Sequence, residues 1–231
     1  MSRTKLSKGR KSGGICVYVH ESISRGVKKI PTAGSESILI KLDSGFFCLD
    51  RDIVISFTYC VPKGRTQFDP YEDLENMLCS IKDTCDIISM GDFNGRPGLK
   101  PDYIPDEDNT SIPVFDRLCG TDTLAARPRA NLDRQTNSYG DKLIDLCKSV
   151  PLRICNGRKL GDFLGSYTCY KKHGQSTVDF CLISPSIYNI VSTFVINELL
   201  PDLSDHCSVT INLQTKYYPQ LCKKEHFDLS P

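Results

Sequence analysis

The stretch Asp86-Ile87-Ile88-Ser89-Met90-Gly91-Asp92-Phe93-Asn94 reads as a short apolar strand that runs straight into a polar turn flanked by glycines at 91 and 95. A carboxylate and an amide two residues apart on a strand-like segment point the same way. One can accept a proton from water while the other orients that water or holds a phosphate oxygen. The same Asp-x-Asn pattern is ordinary turn chemistry as well. Its neighbours have to decide.

Upstream, Ile15–Val19, Ser37–Leu42 and Ile53–Tyr59 are rich in Val, Ile, Phe and Tyr and are punctuated by Pro31, Gly34, Ser44 and Gly45. They predict strands of an antiparallel or mixed sheet. A helix start follows, with Asp69 as cap, Pro70 at the first helical position and Glu72 completing a capping box. Leu74, Met77, Leu78 and Ile81 then share one helical face. Residues 95–137 are rich in Pro, Asp, Asn and Arg and predict long loops with one short helix near Val114–Cys119. A second helix is predicted over Tyr139–Lys148 with Ser138 as its cap. Leu152–Cys155, Tyr167–Tyr170, Val178–Ile183, Val191–Ile196 and Cys207–Leu213 complete the strands. Many strands and few helices argue for an α+β fold of two packed sheets flanked by helices. The domain spans 13–213, between a basic tail at 1–12 and a polar tail at 214–231.

Composition excludes some classes. No apolar run approaches the ~20 residues a membrane-spanning helix needs, and no signal peptide is legible, so an intracellular protein is expected. The net charge of +1 gives no global attraction to a polyanion, yet Arg127, Arg129 and Arg134 cluster, either as a solvated loop or in contact with phosphate. The 12 cysteines show no zinc-knuckle spacing and sit in or beside β-like runs at Cys16, Cys48, Cys60, Cys181 and Cys207. They read as reduced thiols serving as small core hydrophobes.

Two further clusters carry chemistry. Asp179 lies inside the apolar run Val178-Asp179-Phe180-Cys181-Leu182-Ile183, where a carboxylate is costly to bury without a partner. Ser204-Asp205-His206 opens the last strand, and the histidine's protonation depends on the carboxylate its other nitrogen meets. Asp179 is a candidate for that partner. A hydrogen-bonded buried Asp and a surface turn would each be unremarkable alone; the ordered set of three is harder to explain that way.

Gly91-Asp92-Phe93-Asn94, then Ser176-Thr177-Val178-Asp179-Phe180, then Ser204-Asp205-His206 resembles the ordered signature of the endonuclease/exonuclease/phosphatase superfamily. Tyr59 with Pro62 is similar to its Tyr-x-x-Pro segment, and Gly13-Gly14-Ile15 to its Gly-Gly strand opening. Asn156-Gly157-Arg158, Gly161-Asp162, Gly165 and Tyr167-Thr168 resemble the non-LTR retrotransposon branch. The resemblance implies a four-layer sandwich that hydrolyses phosphodiesters, nicking DNA with Mg²⁺ or Mn²⁺, and with nuclear access. It implies that Asp92 activates water, Asn94 positions it, and Tyr59 binds the phosphate. Asp179 would polarise His206, Asp205 would lie at the metal, and Thr168, Ser176 and Ser204 would support the site.

The sequence also departs from that family. The twelve residues before Gly13 contain neither the expected Asn nor the metal-binding Glu. The expectation is that the first strand, first helix and second strand are missing and that catalysis is impaired. A silent mobile-element remnant, at best a nucleic-acid-binding fold, is the competing reading. A phosphoesterase acting on phosphoinositides or sphingolipids ranks below both.

Overall fold

The computed structural model describes residues 14–32, 37–62, 69–104 and 128–216. The expected helix at 114–119, the basic tail and most of the polar tail lie outside them.

A six-stranded sheet forms the centre. Its strands are β1 (Val27–Ile30), β2 (Ser37–Leu42), β3 (Ile53–Tyr59), β4 (Asp86–Asp92), β5 (Arg153–Ile154) and β8 (Asp179–Ile183), in the order β1-β2-β3-β4-β8-β5. Among the described strands only β3 and β4 run parallel. A parallel pair needs a crossover; a short α1 (Ser44–Phe47) precedes β3, and α2 (Pro70–Cys79) supplies the crossover from β3 to β4. Two smaller units complete the β structure: a hairpin of β6 (Cys169–Lys171) with β7 (Gly174–Ser176), and β9 (Val191–Ile196) with β10 (Val209–Leu213).

The alternation of β4 and β8 separates two cores. Ile87, Phe180 and Leu182 face α2 and α3 (Ser138–Ser149), where they pack on Leu74, Leu78, Leu143 and Leu146. Ile88, Cys181 and Ile183 face the other way, onto Val191 and Phe194 of β9. The central sheet is therefore covered by helices on one face and by the β9–β10 pair on the other. A one-residue slip of β4 would send the wrong set to each side.

Several local expectations need correction. Ile15–Val19 forms no strand; Ile15 and Val17 lie half-buried over the sheet, but their backbone joins no ladder. Alternation put their apolar side inward without a strand edge to pair with. The second long helix is capped by Asn137 rather than Ser138, because Asn137 Oδ1 reaches the Gly140 N–H at 2.6 Å. Ser138 is already helical. Among the described cysteines none is bridged; Cys60 and Cys181 are buried core residues, as is Cys207 at the edge, but Cys16 and Cys48 are exposed.

The loop arginines are also divided. Arg129 is buried and donates to the Gly98 carbonyl at 2.7 Å, whereas Arg134 is exposed and Arg127 lies outside the described residues. Beside Arg129, Arg158 grips Asp102 through two bonds of 2.8 and 2.9 Å, both side chains being almost fully buried. Burial alone would raise the Asp102 pKa, but the Arg158 hydrogen bonds and charge override it and hold it below the ordinary value. Arg158→Met should strand a buried carboxylate and cost about 3–5 kcal/mol in urea unfolding at pH 7. A loss below about 1 kcal/mol would show that the pair does not anchor this loop.

Candidate functional site

Register brings three side chains of the central sheet into one row. Tyr59 pairs with Asp92 across the parallel β3–β4 ladder, and Asp92 pairs with Asp179 across the antiparallel β4–β8 ladder. Paired residues share a face, so all three stand on the side covered by β9–β10, at the strand ends where that cover stops. Gly91 makes the approach possible. Its φ is 143°, and a Cβ there would lie 1.9 Å from the Thr58 carbonyl oxygen.

The turn after β4 is fixed by its own polar groups. Asp92 Oδ1 accepts the Asn94 N–H at 2.9 Å, and Oδ2 accepts Asn94 Nδ2 at 3.2 Å. The same amide donates to the Cys60 carbonyl at 2.9 Å. Asn94 sits at φ 48°, a left-handed conformation that Asn tolerates better than most residues. Buried Phe93 anchors the turn from below, and its carbonyl accepts the Tyr71 hydroxyl at 2.8 Å.

His206 arrives from the segment before β10. Its Nδ1 meets Asp179 Oδ2 at 2.9 Å and Oδ1 at 3.1 Å. The Asp179 hydrogen bond raises the His206 pKa, against burial, with Asp92 and Asp205 adding charge in the same sense. Burial, then the charge of Asp179, pushes Asp92 from an ordinary 3.8 up to about 6. A largely apolar cavity of about 290 Å³ lies beside the cluster, lined by Ile15, Phe57, Met90, Cys207 and Val209 as well as Asp179.

The remaining expected residues occupy the surrounding frame. Buried Thr168 accepts the N–H groups of Val178 and Asp179 at 3.1 Å each, fixing the entry to β8. The Ser204 hydroxyl accepts the His206 N–H at 3.0 Å, holding the turn that presents the ring. The Ser176 carbonyl accepts the Thr168 N–H at 3.0 Å. Asp205 is exposed, and its carboxylate gathers with His206 and Cys169.

Three supports were not found by sequence reasoning. Asp133, buried, pairs with Arg96 and accepts the Thr177 N–H at 3.0 Å. Asn156 clasps β8 by donating to the Asp179 carbonyl and accepting the Cys181 N–H. Cys169 places Sγ 3.3 Å from His206 Nε2. The Asn156-Gly157-Arg158 stretch was noticed for its resemblance, but nothing in spacing pointed to any of the three contacts.

Asp92, Asp179 and His206 present ligand atoms that all lie within 4.8 Å of one another. Two half-buried carboxylates facing each other repel, and a cation between them would relieve that repulsion. The donor set thus suits a divalent metal ion.

No protein-family model matches the sequence, and no curated protein matches it. Among solved structures, it is similar to the endonuclease domain of TRAS1, a telomere-specific non-LTR retrotransposon, at TM-score 0.51 and 14% identity over 81% of this chain and 66% of that one. It is similar to the AP endonuclease LMAP from Leishmania major at TM-score 0.51 and 12% identity, over 83% of this chain and 62% of that one. The chain thus spans slightly less than two thirds of each of those structures. These likenesses show the fold, an α+β sandwich shared with those two structures.

The Asp92 shift has a definite sign. Between about pH 4 and 6 the folded state holds a proton that the unfolded chain has lost, so stability falls as pH rises through that window. Asp92→Asn should therefore stabilise the protein by about 1–2 kcal/mol at pH 8, discounted for partial exposure and one altered hydrogen bond. The gain should vanish below pH 4, as read by urea unfolding at both pH values. Separately, Asp179→Asn should lower the His206 midpoint in an NMR titration of the imidazole protons. An unmoved midpoint would mean that Asp179 does not set that ring's charge.

Proposed function

We propose that this chain is a metal-dependent phosphodiesterase domain that nicks DNA, of the retrotransposon-endonuclease kind, and that its turnover is impaired. The observation that carries the reading is the meeting of Asp92, Asp179 and His206, residues far apart in sequence, at one sheet end. Similarity to the TRAS1 endonuclease domain supports DNA as the substrate.

Each side chain has a chemical task. Asp92, ionised above about pH 6, accepts a proton from the attacking water. Asn94, which already donates to Asp92, steers that water and contacts the phosphate. Tyr59, beside Asp92 in the register, hydrogen-bonds a phosphate oxygen. His206, whose pKa the Asp179 hydrogen bond raises, stabilises the negative charge that builds on the phosphate. Asp92 and Asp179 would hold Mg²⁺ or Mn²⁺, which would supply Lewis-acid stabilisation of the phosphoryl oxygens, whereas Asp205 gathers with His206 and Cys169.

Impairment follows from the donor set. Among the described residues, no glutamate joins either group able to hold a metal. A hard divalent ion held by fewer carboxylates binds weakly, and losing ~4 kcal/mol of stabilisation slows turnover about a thousandfold. The same gap favours a second reading, a nucleic-acid-binding fold without catalysis.

Incubation of the purified 231-residue protein with supercoiled plasmid and Mg²⁺ should give slow, EDTA-sensitive nicking that Asp92→Ala and His206→Ala remove. Fast nicking abolished by Asp92→Ala would refute impairment. Plasmid retention without nicking would favour the silent fold, and turnover of soluble phosphate esters alone would overturn DNA as substrate.

A further inference from the structure

Cys169 and His206 are held face to face by the backbone. They form an isolated antiparallel bridge, flanked by Cys207 N–H to the Thr168 carbonyl at 2.7 Å and Tyr170 N–H to the Asp205 carbonyl at 2.8 Å. Cys169 Sγ lies 3.3 Å from His206 Nε2, and the Asp205 carboxylate lies within 4.8 Å of both. The other ring nitrogen is already committed to Asp179 at 2.9 Å. With Nδ1 donating to that carboxylate, loss of the Nε2 proton would free Nε2 to ligate a metal beside the thiol.

We propose that Cys169, His206 and Asp205 form a binding site for a soft or borderline divalent cation, zinc or cobalt, distinct in ligands from the carboxylate pair. Three protein ligands of sulfur, nitrogen and oxygen type leave a fourth, solvent-facing position on the exposed Asp205 side. Ordinary Zn–S and Zn–N lengths at a tetrahedral angle put sulfur and nitrogen about 3.5 Å apart. The observed 3.3 Å therefore needs an opening of only ~0.2 Å. The Asp179–His206 contact supplies the carboxylate behind a metal-bound imidazole that orients such rings.

Thiolate and carboxylate together neutralise the ion's two charges. Binding is a ligand exchange: the Cys169 S–H proton and any proton on His206 Nε2 leave to solvent, bonds from sulfur, nitrogen and the Asp205 carboxylate to the metal form, three metal-bound waters depart, and nothing is oxidised. Mg²⁺ prefers oxygen donors and gains little from this sulfur. One consequence rests on the nuclease reading: an occupied site takes His206 Nε2 away from a phosphate, so zinc inhibits. The binding itself does not rest on that reading.

Titration of Co²⁺ into the metal-stripped full chain tests the site directly. One equivalent should produce a near-ultraviolet thiolate-to-cobalt charge-transfer band with tetrahedral visible bands, displaced by Zn²⁺. Cys169→Ser should abolish the charge-transfer band and weaken zinc binding at least 100-fold. Asp205→Asn should keep the band with affinity reduced about 10-fold, and Cys16→Ser and Cys48→Ser should change nothing. Absence of the band, its survival in Cys169→Ser, or its loss in Cys16→Ser or Cys48→Ser overturns the proposal. Should Cys169→Ser fail to fold by circular dichroism, X-ray absorption of the zinc-loaded wild-type chain decides: one sulfur scatterer supports the site, and an all-oxygen and nitrogen shell refutes it. Plasmid nicking plays no part in either readout.

Discussion

Asp92 and Asp179 face each other on neighbouring strands, in a half-buried position where two carboxylates repel and neither is fully hydrated. The register of β4 on β8 cannot shift to relieve this, because the same register sends Ile88 and Ile183 into one core and Ile87 and Leu182 into the other. Hydrophobic burial therefore holds an electrostatically unfavourable pair in place. Tension of this kind is what a site uses to attract a cation or a proton.

The protein answers that repulsion with donors fixed before any ligand arrives. Asn94 gives two hydrogen bonds to Asp92, and Thr168 fixes the backbone that carries Asp179. His206 presents one ring nitrogen to Asp179 and turns the other toward Cys169. The thiol at that second nitrogen gives the cluster a softer ligand than a site built from carboxylates alone.

Distance from the chemistry does not separate structural from functional polarity here. The Asp133–Arg96 pair ties the loop at 128–137 to the Thr177 N–H, just ahead of Asp179. The Asp102–Arg158 pair pins the segment that leads to Asn156, which in turn clasps β8. Buried charges in these loops substitute for the apolar packing that Pro- and Asn-rich sequence cannot provide. Their carboxylates serve backbone N–H groups as well as guanidinium groups, so breaking one would loosen the site from behind.

Local sequence determined the strands whose alternation splits two cores, the α2 cap at Asp69, and the placing of Asp92, Asn94 and Asp179 at strand ends, because periodicity and strand-end placement are properties of short segments. It misjudged Ile15–Val19, since a strand needs a partner edge that alternation does not reveal, and it missed Asn137 as a cap by one residue. The burial of Arg129, the clasp of Asn156 and the meeting of Cys169 with His206 were decided by tertiary structure alone. Each joins residues tens of positions apart, and only the folded backbone sets which side chains come within hydrogen-bonding distance.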